Sequence, residues 1–148
     1  MATFKKILIP YYGSQACKRA AEKAMELAKE SGAELTGLKV ISFSFETIVP
    51  SDNLWEAIRE DLQEKAKSTL ADLEAMAKER GLEIRLEIRE GDITAEVVEL
   101  ANEIGADLIV MSLGGRVKRL GGFLGKGQQR ITVRTLVSEA PCPVMFVS

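Results

Sequence analysis

The sequence predicts an α/β domain built on an open, doubly wound, five-stranded parallel sheet with helices on both faces. Three observations lead there. Short apolar runs alternate with stretches of helical period along the chain. Two of the runs, Ile7-Leu8-Ile9 and Leu108-Ile109-Val110-Met111, are apolar at every position, as in strands covered on both faces. A third run, Leu82 to Arg89, alternates strictly between Leu82, Ile84, Leu86, Ile88 and Glu83, Arg85, Glu87, Arg89, which marks an edge strand. Strand–helix alternation implies parallel crossovers, and right-handed crossovers with the third strand at an edge give the spatial order 3-2-1-4-5.

The first strand runs from Lys5 to Pro10 and stops at Tyr11-Tyr12-Gly13-Ser14. Ala16, Ala20, Ala24, Leu27 and Ser31 follow at helical spacing, ended by Ser31-Gly32, and a second strand covers Glu34 to Ile41. After a loop from Phe43 to Pro50, a long helix opens near Ser51-Asp52. Its stripe is Leu54, Ile58, Leu62, Ala66, Leu70, Leu73 and Ala77, and Gly81 ends it. Past the alternating strand, Gly91-Asp92 caps a helix with the stripe Ile93, Val97, Leu100, Ala101 and Ile104. The fourth strand is Asp107 to Met111; a short helix around Ile131 to Ser138 and a last strand, Pro143 to Val147, complete the pattern. The expectation is one domain over residues 1–148, without repeat or linker.

Composition removes several functions. The chain has no histidine, which closes the triads and most catalytic zinc sites that depend on one. Cys17 and Cys142 lie far apart at no metal-ligand spacing; free thiols in a reducing compartment are the expectation, with Cys17 a buried, inert one. No metal site is expected. No apolar run approaches the ~18 residues of a membrane span, and the N-terminal apolar run is too short for a signal segment. A cytoplasmic location is therefore expected, without membrane attachment. The net charge of −2 is uneven: between Asp107 and Glu139 stand Arg116, Lys118, Arg119, Lys126, Arg130 and Arg134 and no acid. Such an excess attracts anions, though a solvated basic loop reads the same way. Nucleic acid is not an expected partner, because only Phe123 is interleaved with these residues.

In the order 3-2-1-4-5 the winding reverses between the first and fourth strands, and open α/β sheets bind ligands outside the carboxyl ends of the strands at that point. Pro10 to Ser14 and Ser112 to Gly115 meet there. The segment Ser112 to Gly127 holds six glycines and four basic residues, suited to cradling phosphate oxygens on backbone amides. It is not a P-loop, since Gly127 follows Lys126 where that motif needs Ser or Thr. A surface loop needing positive φ has the same composition.

Ile7-Leu8-Ile9-Pro10, Glu90-Gly91-Asp92, Gly105 to Met111 and Ala140-Pro141-Cys142-Pro143-Val144 resemble, in order and spacing, the universal stress protein family over essentially the whole chain. The resemblance implies a fold of the adenine nucleotide alpha hydrolase kind and a stress or signalling module that binds an adenine nucleotide, ATP with or without Mg. It would put Pro10, Tyr11, Val40 and Met111 around the adenine. The nucleotide-binding branch carries Gly-x2-Gly-x9-Gly-Ser/Thr after the fourth strand; the matching frame here is Ser112-x2-Gly115-x9-Gly125-Lys126. Ser112, Gly114, Gly115, Gly125, Lys126 and Gly127 would thus face the phosphates. Tyr12 stands where the family's aspartate would contact the ribose. The resemblance also implies a homodimer through antiparallel pairing of the C-terminal strand, Val144, Met145, Phe146 and Val147. Tyr12, Ser112 and Lys126 depart from the branch's pattern, so the alternative is a member that has lost the nucleotide and acts as a dimeric interaction module. Catalysis is not expected beyond slow incidental ATP hydrolysis, because no histidine or paired carboxylate converges on the crevice and the signatures of pyrophosphatase-type ATP enzymes are missing.

Overall fold

A computed structural model describes residues 3–42, 52–113 and 133–148. The elements are β1 (Lys6–Pro10), α1 (Gln15–Ser31), β2 (Glu34–Ile41), α2 (Asp52–Glu79), β3 (Ile84–Glu90), α3 (Ile93–Ile104), β4 (Leu108–Ser112), a helix α4 over residues 133–139, and β5 (Val144–Val147). The five strands form one parallel sheet in the order β3-β2-β1-β4-β5, as the sequence predicts. β3 and β5 are the edges.

Strand parity distributes the side chains to two cores. Ile7, Ile9, Leu35, Leu108 and Val110 face α1 and α2; Leu8, Leu38, Val40 and Ile109 face α3 and α4. Each of these large side chains is almost fully buried, and each such burial contributes roughly 1.5–3 kcal/mol. α1 meets the sheet through Ala16, Ala20, Ala21, Ala24 and Ala28, small residues that let its backbone lie close to β1 and β4. α2 comes equally close to β2. A Cβ placed on Gly37 would stand 2.4 Å from Leu73 Cδ2, so the strand needs a residue without a side chain at that point.

Local signals set the helix ends. Ser14 caps α1, its Oγ accepting from the Cys17 amide at 3.1 Å, and Asp92 caps α3, accepting from Ala95 at 2.9 Å. Asp107, just ahead of β4, accepts from the amides of Lys5 (2.8 Å) and Lys6 (3.1 Å), which fastens the start of β1 to the start of β4. On the β3 edge the charged residues make specific pairs. Arg89 binds Glu103 and Glu87, and Arg59 of α2 grips Glu90 through two bonds of 2.8 and 2.6 Å. Among the described residues no helix is long and apolar enough to cross a membrane.

Candidate functional site

The crevice originates in the way β1 and β4 part. Their pairing covers Ile7↔Leu108 and Leu8↔Ile109. Beyond it β1 stays with β2, through Pro10↔Leu38 and a 2.8 Å bond from the Tyr11 amide to the Leu38 carbonyl. β4 stays with β5, through Ser112↔Val147 and a bond from the Leu113 amide to the Val147 carbonyl. The sheet forks at its carboxyl end, between Pro10–Ser14 on one side and Val110–Leu113 on the other. The N-terminus of α1 starts at this fork, adding the partial positive charge of its free amides. A separate concavity of about 600 Å³ lies at the opposite end, among Leu35, Glu74, Lys78, Leu82, Ile84 and their neighbours, where no switch of winding occurs.

The turn out of β1 is made by Gly13 at φ 85°, a conformation that L side chains rarely adopt. The two tyrosines before it have different roles. Tyr11 shares the parity of Ile7 and Ile9 and is fully buried in the α1/α2 core, its hydroxyl 4.0 Å from Met76 Sδ. Burial, with smaller contributions from Asp72 and Cys17, pushes its phenol up to about 12. Tyr12 leaves strand parity as the chain turns and packs its ring against the same core. Its hydroxyl is buried with no hydrogen-bond partner among the described residues. Burial first, and Cys17 second, raise its pKa as well. Lys39 Nζ sits over the Tyr12 ring, 4.6 Å from the centroid. Burial lowers the Lys39 pKa, partly offset by Cys17.

Cys17 Sγ lies 3.3 Å from Ser112 Oγ, so the first turn of α1 touches the end of β4 across the fork. The residues that the resemblance places at the adenine divide across the sheet. Val40 and Met111 belong to the α3/α4 side, Pro10 is buried at the end of β1, and the Tyr11 side chain points to the opposite core. Gly114, Gly115, Gly125, Lys126 and Gly127 lie outside the described residues. The sequence reading passed over Lys39. Its signal was the charge interrupting Gly37-Leu38-Lys39-Val40-Ile41, an otherwise apolar strand end. Among the described residues no group of three or more potential ligands is arranged to hold a metal ion.

A parallel sheet that forks at its winding reversal, with a glycine turn and a helix N-terminus at the mouth, is the frame of α/β domains that receive small ligands at the carboxyl ends of their strands. The Universal stress protein family model matches residues 3–148, and the chain belongs to that family. It is 36% identical over 144 residues to a universal stress protein of Methanocaldococcus jannaschii, covering 97% of this chain and 82% of that one. The fold superimposes on a universal stress protein in complex with cAMP (TM-score 0.73, 23% identity, 99% of each chain). It likewise superimposes on the universal stress protein from Archaeoglobus fulgidus in complex with dAMP (TM-score 0.67, 20% identity, 100% of each chain).

Proposed function

We propose that this chain is a single-domain, cytoplasmic nucleotide-binding module that takes an adenine nucleotide, ATP with or without Mg, in the fork between β1 and β4. It acts in stress response or signalling by binding rather than by turnover. The observation that supports this reading is the fork itself, the parting of β1 from β4 at the reversal of winding, in a chain whose fold matches universal stress proteins solved in complex with cAMP and dAMP. In it, Pro10, Val40 and Met111 border the base, and Tyr11 keeps the end of β1 on β2. Tyr12 meets the sugar, and Ser112 leads into the phosphate-facing residues Gly114, Gly115, Gly125, Lys126 and Gly127. The test is to denature the purified protein, chromatograph the released nucleotides, and titrate stripped protein with ATP and magnesium. Micromolar binding supports the reading; neither retained nor titratable adenine nucleotide defeats it.

The assembly proposed with it is a homodimer through β5. Its four residues are all half-buried in this edge strand, and Val137 on the adjoining α4 is 56% exposed. Edges of this kind are normally covered. Light scattering at micromolar concentration reads the mass directly, and a monomer refutes the dimer. A second reading, a dimeric interaction module without nucleotide, draws on one observation: the Tyr12 ring takes up room beside the fork, where the family's aspartate is smaller.

A further inference from the structure

Two polar groups beside the fork are left incomplete. The Tyr12 hydroxyl is buried and unpartnered among the described residues. Lys39, half-buried above the same ring, makes no ion pair with any described residue, whereas the part-buried Arg59 and Arg89 each pair with a carboxylate. Burial disfavours the ammonium, and an aromatic face compensates a desolvated charge only in part. A buried hydroxyl without a partner costs stability, and the fold gains nothing from it that phenylalanine would not supply. These two deficits lie on one ring, and one kind of group removes both. An anionic oxygen accepts from the Tyr12 hydroxyl and the Lys39 ammonium together, whereas a neutral hydroxyl of a sugar would satisfy Tyr12 alone.

We infer that Tyr12 and Lys39 form a subsite for a phosphate ester on the sugar of the bound nucleotide, so that the preferred ligand carries phosphate at the 2′ or 3′ ribose oxygen as well as at the 5′ oxygen. This rests on the reading above, in which the sugar lies at Tyr12. The chemistry follows the rule that separates dinucleotide sites. A carboxylate at the ribose accepts from its hydroxyls and repels a phosphate there, while a cation accommodates the phosphate. With a phenol at position 12 and an ammonium over it, this pair carries a positive charge and lacks the carboxylate that would repel a phosphate.

The experiment is calorimetric titration of nucleotide-stripped protein, at one salt concentration, with AMP, adenosine 2′,5′-bisphosphate and adenosine 3′,5′-bisphosphate. One bisphosphate is expected to bind at least about 10-fold more tightly than AMP, the size of a charge-assisted contact. In Lys39→Met that ratio falls to about one. In Tyr12→Phe the ratio shrinks while the ligand-free protein melts at a higher temperature, because the unsatisfied hydroxyl is gone; a purely structural tyrosine would not produce that opposition. AMP binding with neither bisphosphate preferred, or a preference that survives Lys39→Met, overturns the subsite and leaves the nucleotide reading standing. Absence of binding by all three ligands overturns both. If Lys39→Met fails to fold, the wild-type ratio and Tyr12→Phe decide.

Discussion

Cys17 Sγ and Ser112 Oγ meet at 3.3 Å, joining the first turn of α1 to the last residue of β4 across the mouth of the fork. The contact puts the thiol in the interior, 3% exposed, while Cys142 is only half-buried.

Thiol labelling separates the two. Burial and the nearby Asp107 raise the Cys142 pKa, so less of it is thiolate at pH 8 than of an ordinary cysteine, and it should react slowly but completely. Cys17 should react only when denaturant opens the core. Mass spectrometry of the partly labelled protein checks the order; early modification of Cys17 would contradict its placement.

Alkaline titration reads the tyrosines, and the chain has only two. Burial holds both phenols above the ordinary tyrosine value of 10.0 in the folded protein. A group whose folded pKa is raised contributes stability that is present below its unfolded pKa and is lost as pH rises through the folded one. For Tyr11 that window runs from 10.0 to about 12, and the loss across it is on the order of 2–3 kcal/mol. Absorbance of phenolate near pH 11 should therefore rise in step with loss of circular dichroism. Ionisation at pH 10 in the folded protein would show that the rings are not buried.

Gly37→Ala places a methyl against Leu73, which is itself fully buried and has little room to move. Overpacking of this kind costs typically about 1–3 kcal/mol. Gly37→Val should cost more, and adding Leu73→Ala to Gly37→Ala should recover part of the loss that the two single changes would sum to. Urea midpoints of the four variants measure it; strict additivity would mean that the two residues do not touch.

Asp107→Ala removes the acceptor of two backbone amides at the start of β1. The expected loss is about 1–2 kcal/mol, with Asp107→Asn milder because its carbonyl keeps one bond. Hydrogen exchange at Lys5 and Lys6 should accelerate in both, and unchanged exchange there would remove Asp107 from this role.

Much of this architecture was legible beforehand because apolar parity in strands is a strong signal. Ile7, Leu8 and Ile9 announced a strand covered on both faces, and the alternation through Ile84, Leu86 and Ile88 announced the edge. The same parity, carried two residues further, puts the Tyr11 side chain in the core with Ile7 and Ile9, so only its backbone is left to border the fork. Tyr12 could not be assigned this way, since a turn made by a glycine at positive φ ends the two-residue period. Lys39 escaped notice because its meaning depends on a ring from another strand, a relation that periodicity within one segment does not carry. The fork, too, is a matter of registers: no local pattern tells how far β1 follows β4.

That register has a consequence for the order of assembly. Leu8 and Ile109 are about 100 positions apart, and closing so long a loop costs entropy that only the finished contact returns. The half-sheet β3-β2-β1 with α1 and α2 can collapse from near-neighbour contacts while the chain emerges. At that stage it has a single wall, formed by Pro10 to Ser14, facing nothing. The second wall arrives only with β4, so the fork proposed to receive the nucleotide is complete only late in folding, when the most distant parts of the chain have already found each other.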